Sequence, residues 1–479
     1  MPIMDIASKA ICAVSKRYGK KLAKKGATPE IAEVQPQKIV GKQFYSGFAS
    51  AEIMPDLETG KTYWIAGHGS GHKMEGVLTP VSVSAVWLDC GAGKGFLWVS
   101  ADVIGMTRVE VTKIRGMLDG FCKKSGCQFI NISCTHNHSG IDTVGYWGKP
   151  NKLSIPADGK DPVYMAMLFD KICEVCKTAY ETREPGKLYL GSVRVPDSQF
   201  SKRPQGKLHD VLTRFRFVPD GGGKETWIVN FAGHPNSLGG SNRLLSAEYP
   251  YFLRETVSAG CGANVLYGIG AIGALDMAHY DDDIVENIRK QGKVLGEAAM
   301  SVSNDEELNA EITILSQPFY MPIDNCVLTL LAMRGTMNTD AYPDSRGGVG
   351  IAIKSEMTYI KIGRQQILML PGEMFTQTVY GGYHSAEESA TGKGPRINPR
   401  PLVEIAEDEN LLVFGVSNDM TGYVVPPNDF VLHPTQPYLS PVKDSSRVNH
   451  YHETNSMGLL SQQVIADEFS KIMVRVRGL

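Results

Sequence analysis

The 479-residue chain has no apolar run near the roughly 18 residues that a membrane-crossing helix needs. It has no excess of one charge either. Against 51 Asp/Glu stand 49 Lys/Arg, a net charge of −2, so the overall basic field of a nucleic-acid binder is missing. The first residues lack the apolar core of a secretory leader, and the location expected is cytoplasmic or at a membrane surface. Cysteine is scarce and unpatterned. Nine are scattered without a repeated spacing, which suits reduced thiols better than a disulfide framework. The one C-x-x-C pair, Cys173 and Cys176, falls in a helical pattern and reads as core-facing thiols. Repeats and low-complexity tracts are absent. What remains is an ordinary soluble composition, 42% hydrophobic and 21% charged. The length calls for two layers of α/β structure or two domains.

Residues 1–26 carry seven Lys/Arg (Lys9, Lys16, Arg17, Lys20, Lys21, Lys24, Lys25) against one acid, Asp5. Ala7, Ile11, Val14, Tyr18 and Leu22 recur at helical spacing, so a basic amphipathic helix is expected. Such a helix lies on an anionic lipid surface or packs on its own domain, and the narrow apolar stripe favours packing. Residues 27–43 read as a linker. The division expected is 1–43 for helix and linker and 44–479 for the main domain.

Strand-like runs at Val81–Leu88 and Gly95–Ser100, a helical pattern at Arg108–Leu118 and a strand at Phe129–Ile132 make a β-α-β unit. A helix follows over Pro162–Thr182. Val211–Val218 and Thr226–Phe231 form a hairpin across Pro-Asp-Gly-Gly-Gly. A helix at Glu248–Ser258 leads to a strand at Ala263–Tyr267. Gly268, Gly270 and Gly273 then spell G-x-G-x-x-G, but no convincing helix opens after them, which argues against a dinucleotide site. Residues 284–303 form a helix, and 310–365 look less regular. Strands at Gln366–Leu370 and Leu411–Val416 and a terminal helix complete the chain. The fold expected is α/β, with mixed or mostly parallel sheets, flanking helices and an active site at strand C-terminal ends.

CQFINISCTHNHSG places His136 and His138 just past an apolar strand. If strand geometry continues, both rings point to one face. Either both ligate one ion, or one ligates while the other works on substrate. His234 follows Thr226–Phe231 directly, Glu373 follows a strand in Pro-Gly-Glu, and Tyr423 follows Leu411–Val416. The crevice outside strand C-termini can gather such residues, and two imidazoles, a carboxylate and a phenol would make a zinc set. Position alone does not separate this reading from the polarity that every loop shares.

CTHNHSG resembles the T-H-T-H-S-G signature of neutral/alkaline ceramidases, zinc-dependent amidases that cleave N-acylsphingosine. FAGHPN with SAEYP, LPGE and SNDMTGY look like further blocks of that family in the same order. AEIMP and GVLTPVSVSAVWLD resemble the start of its catalytic domain, so the likeness spans roughly 44–479 in dispersed blocks. The resemblance implies Zn2+ held by His136, His234, Glu373 and Tyr423. It implies His138 on the substrate side, bonding or passing a proton to a tetrahedral intermediate. It places Arg203 at the oxyanion and Tyr451 against substrate. The implied function is hydrolysis of an N-acyl amide, ceramide-like or related, by a zinc-bound water.

Two departures are visible. Where the family carries Gly-Asp-x-Ser-Pro, this chain reads Gly273-Ala-Leu-Asp276-Met-Ala, so Asp276 stands in the serine's place. It would position water or select a polar amide. The family's C-terminal β-sandwich is also not expected within 44–479. These departures support two alternatives: a hydrolase of a more polar substrate on the same scaffold, or a non-catalytic metal- or ligand-binding homologue. The partners expected are a small-molecule or lipid amide, no nucleic acid, and a membrane surface through residues 1–26.

Overall fold

Each strand near the N-terminus divides its apolar residues between two cores. In Ser82–Asp89, the side chains of Val83, Ala85 and Trp87 enter one core and those of Val86 and Leu88 another. Gly95–Ala101 does the same, with Leu97, Val99 and Ala101 on one side and Phe96 and Trp98 on the other. Period-two alternation with both parities apolar requires cover on both faces. The computed structural model, which describes residues 3–151, 156–204, 206–385, 387–390, 398–444 and 446–479, supplies it with four layers.

The central interface joins two sheets. Val86, Trp98, Phe215 and Leu266 of one meet Ile314, Ile360, Ile367 and Phe414 of the other. Helices Pro162–Glu181, Tyr249–Cys261 and Ile284–Ser301 cover the first sheet's outer face through Leu168, Ile172, Leu253 and Leu295. Ser461–Arg477 and Cys326–Met333 cover the second through Ile465, Phe469 and Leu331.

The first sheet runs in the order Asn264–Ile269, Thr226–Phe231, Val211–Pro219, Glu184–Arg194, Phe44–Glu52, Ser82–Asp89, Gly95–Ala101, Cys127–Cys134. Only the outermost pair at each end is parallel. Their crossovers are helical: Arg108–Met117 with Asp119–Ser125 on one side, Tyr249–Cys261 on the other. The sheet is therefore mixed, as expected.

It also coils back on itself, as twisted sheets do. Ser100 Oγ donates to the Tyr267 carbonyl at 2.5 Å, across strands that lie far apart in the sheet order. Residues 412–418 lie in the gap. Asn230 Nδ2 donates to Val413 O, Gly415 N to Ile269 O, and Asn418 accepts from Ile132 N at Oδ1. Both parallel edges, with the loops at their C-terminal ends, are thus brought to one place.

Several expectations change. Residues 310–365 hold a regular antiparallel pair, Glu311–Ile323 with Ile351–Ile362, in continuous register from Ile312↔Ile362 to Ile323↔Ile351. Pro318 and Pro322 disguised the first strand. They share a parity, so both missing N–H groups fall on one edge, beyond the stretch where Gln37–Val40 runs alongside. That edge strand lies within the stretch read as a linker. The reduced state expected of the cysteines holds for seven. Cys12 and Cys326 are joined across a separation of 314 residues that no local spacing could reveal. Cys173 and Cys176 are buried thiols, as expected. The helix after Glu373 is confined to Thr376–Tyr380, because Gly381 turns left-handed at φ 71°. The G-x-G-x-x-G glycines serve packing: a Cβ on Gly268 would lie 2.4 Å from the Phe414 ring. Among the described residues, no helix is long and apolar enough to cross a membrane.

Candidate metal centre

Cys134 ends its strand, and the histidine pair follows in a held turn rather than in continued strand. Thr135 N donates to Ala101 O, and His136 takes a left-handed φ of 59°. Strand alternation therefore does not bring the rings together; this corrects the sequence expectation. Asn137 fixes the turn by donating to Asp102 O and Ser246 O, and His138 N donates to Pro235 O. Gly67 closes from the far side, where a Cβ would lie 2.5 Å from the His138 ring. His234 leaves Thr226–Phe231 and pairs as an isolated bridge with Asp276. Glu373–Met374 and Tyr423–Val424 are two-residue parallel strands that set Glu373 opposite Tyr423.

Among the described residues eight non-glycines have positive φ, and His136, Glu248, Val416 and Asn418 all lie on or beside these turns. A left-handed β-branched residue such as Val416 is costly, and strain of this kind gathers at functional sites.

The three imidazoles meet edge to face, with ring centroids 4.7–4.9 Å apart. One ring nitrogen from each of His136, His138 and His234 lies within 4.8 Å of the others. His136 Nδ1 sits 2.8 Å from the Ile104 carbonyl, which can only accept, so Nδ1 donates and the lone pair of the neutral ring lies on Nε2. That Nε2 faces Glu373 Oε2 at 3.2 Å, and His234 Nε2 faces the same oxygen at 3.7 Å. Glu373 Oε2 is buried and receives no hydrogen bond. With the rings neutral, acceptors converge on an acceptor in a buried site, an arrangement that a cation between them stabilises. The imidazole and carboxylate donors are those that suit zinc and similar ions.

Burial, reinforced by the neighbouring imidazoles, holds His138 and His234 well below the usual histidine range. They are neutral and able to donate lone pairs. Burial and then Glu373 push the Tyr423 phenol up.

The remaining predicted residues fall in two groups. Asp276 is beside the cluster, accepting from Asn236 Nδ2 at 3.1 Å and pairing with Lys202 Nζ at 2.7 Å. Tyr451 is close too, with its ring 6.2 Å from Tyr423 and under the Lys202 ammonium. Arg203, by contrast, has a fully buried side chain engaged elsewhere. Its Nη2 donates to both Glu453 oxygens at 3.0 Å, and its Nη1 contacts His450 at 2.5 Å. The cation whose field reaches His68, His138 and His234 is Lys202.

Three neighbours went unassigned in the sequence reading. They are Lys202, His452, which stacks on Tyr451 at 3.9 Å, and His68, whose ring meets His138 at 5.0 Å. The signal for the first two was adjacency: each sits next to a residue that was chosen. His68 lies in the glycine-rich stretch 66–76, with no strand end to mark it.

Ser139, of the same motif, donates to Glu248 Oε1 at 2.7 Å. Glu248 is fully buried, which raises its carboxyl to about 7 from 4.5. The native state keeps a proton that the unfolded chain has released. This contribution to stability is therefore fully present below about 4.5 and lost as the pH rises through about 7. Glu248→Gln is expected to flatten that slope, by on the order of 3 kcal/mol between pH 4 and 8. Urea unfolding of both proteins across this range checks it.

No protein-family model matches the chain, and no curated protein matches it. Solved structures do, two of them as follows. One is a neutral ceramidase from Pseudomonas aeruginosa, 16% identical, with a TM-score of 0.66 over 91% of this chain and 75% of that one. The other is a ceramidase complexed with C2, also 16% identical, with a TM-score of 0.67 over 91% and 76%. Over nine-tenths of its length the chain has the fold of neutral ceramidase.

Proposed function

We propose that this protein is a zinc-dependent amidohydrolase of the ceramidase type, with the ion held by His136, His234, Glu373 and Tyr423. One observation carries the reading: the Nε2 lone pair of His136 and the Nε2 of His234 converge on a Glu373 oxygen that nothing else satisfies. Zinc bound there would polarise an amide carbonyl and lower the pKa of a water.

The protein's own groups do the rest. Ligating histidines usually fix their second nitrogen on a backbone or carboxylate partner. His136 does so through Ile104 O, and His234 bonds to the backbone of Ile272. His138 Nδ1 has no such partner. His138 is therefore the imidazole free to take a proton at one nitrogen and return it to the leaving amine. Lys202, held by Asp276 and lying over Tyr451, supplies the positive charge next to the developing oxyanion, the role the sequence had given to Arg203.

His138→Ala is then expected to keep the metal while turnover falls by about 100-fold or more, the usual share of a positioned acid–base. Metal analysis beside kinetics measures both. The proposal itself is tested with a fluorogenic short-chain N-acylsphingosine. Hydrolysis that chelator abolishes and zinc restores supports it, and hydrolysis unaffected by chelator removes the metal from it.

A second reading, hydrolysis of a more polar amide, rests on the Lys202–Asp276 pair standing where an uncharged serine was expected. Faster turnover of an N-acyl amino acid than of the N-acylsphingosine would favour it.

A further inference from the structure

The N-terminal helix, Ile3–Ala23, packs Ile11, Tyr18 and Leu22 against the core and leaves a second apolar set, Ile3, Ile6 and Val14, on its outer side. Its buried positions are Asp5, Ser8, Ser15 and Gly19. Ser15 Oγ donates to Cys326 O at 2.8 Å, and Asp5 accepts from Thr435 and Gln436. Gly19 lies so close to the Val349 carbonyl that a Cβ would come within 2.2 Å of it. The bond from Cys12 to Cys326 fixes the same face inward. The helix therefore cannot turn Ile3, Ile6 and Val14 to the body without losing these contacts.

The apolar residues of the outer side stay in solvent. Ile3 is 84% exposed and Ile6 57%, with Met4 and Val14 also in solvent. Two isoleucines and a valine in water on the side opposite the packed one are more than a helix held only to its own domain requires. The same outward side continues into the basic half of the helix, where Arg17, Lys21 and Lys24 are exposed. None of the seven cations of residues 1–26 makes an ion pair within 4 Å among the described residues. The only acid of the segment, Asp5, is buried and bonded. These residues carry +6, and the remainder of the chain, with 42 Lys/Arg against 50 Asp/Glu, carries −8.

We propose that this face is a docking surface for an anionic lipid bilayer. Charge separation of this size orients the molecule, cations toward an anionic surface and the acidic remainder away. The exposed isoleucines, methionine and valine select a bilayer over a nucleic acid, because they gain only where an apolar layer lies beneath the charged one. Ile3, Ile6 and Val14 enter the acyl boundary, and Arg17, Lys21 and Lys24 contact headgroup phosphates and carboxylates. The surface is independent of the chemistry at the metal centre, and its test needs no turnover.

The test is co-sedimentation of the full chain with vesicles of phosphatidylcholine alone and with about 30% phosphatidylserine. Expected is binding to the anionic vesicles, at least about tenfold weaker to the neutral ones, and reversed by about 0.5 M salt. Arg17→Gln/Lys21→Gln/Lys24→Gln changes only exposed side chains and is expected to lower binding at least about tenfold. Ile3→Ser/Ile6→Ser, likewise exposed, is expected to weaken it with salt sensitivity kept. Equal affinity for both vesicles, unchanged binding by the triple variant, or capture by an RNA homopolymer with no vesicle binding would each overturn the proposal.

Discussion

Glu373→Gln is expected to lose the metal, to lower turnover by about a thousandfold, and to make the metal-free protein more stable than metal-free wild type. The first two effects follow from removing a ligand. A Lewis acid contributes several kcal/mol to charge stabilisation, at about 1.4 kcal/mol per tenfold in rate. The third follows from the geometry. Without a cation, Glu373 Oε2 is a buried acceptor that receives no hydrogen bond and faces two imidazole nitrogens. A glutamine amide can donate to His136 Nε2, turning an acceptor–acceptor contact into a hydrogen bond worth about 1–3 kcal/mol relative to the orphaned state. Thermal melting with and without chelator reads it. The variant's midpoint should rise relative to wild type in chelator and fall behind when zinc is added. A site built for stability rather than for metal would give the opposite sign in chelator.

Arg203→Met is expected to be the most destabilising single change near the site. Both members of the Arg203–Glu453 pair have fully buried side chains, and without the guanidinium Glu453 would keep only the His450 ring and the Val431 N–H, both on Oε1. Removing one member of such a pair costs about 3–5 kcal/mol. Arg203→Lys should recover little, because a single ammonium cannot reproduce the contact with both Glu453 oxygens and His450. Arg203→Met/Glu453→Met should recover most of the loss. Denaturation midpoints of the three variants order these effects; equal midpoints for wild type and Arg203→Met would show that the pair holds nothing. Arg203 also contacts His452, which stacks on Tyr451, so surviving activity of the variant reports how far the pair positions that ring.

The strands of the first sheet were legible because period-two alternation and the Gly-rich turn stand out in the sequence. The positions of His136, His138, His234, Glu373 and Tyr423 at strand ends were legible for the same reason. Their convergence was not. It depends on a sheet that coils until Ser100 reaches Tyr267, and on residues 412–418 filling the gap between its edges. No local pattern encodes either. The choice between Arg203 and Lys202 was equally beyond the sequence, since adjacent residues point in different directions and only burial decides which faces the cluster. The Glu311–Ile323 strand was hidden by two prolines that an open edge tolerates. The N-terminal helix was visible as a helix, and Ile11, Tyr18 and Leu22 of its stripe do pack on the body, but the burial of Ser8, Ser15 and Gly19 and the exposure of Ile3, Ile6 and Val14 were not legible.

Metal content measured on purified wild type, His234→Ala and His138→Ala after dialysis against trace zinc tests the account most directly. The predicted result is about one zinc per chain in wild type and in His138→Ala, and none in His234→Ala. Wild type without zinc, or zinc retained by His234→Ala, would contradict it; loss in both variants would make His138 a ligand and end its assignment to the proton.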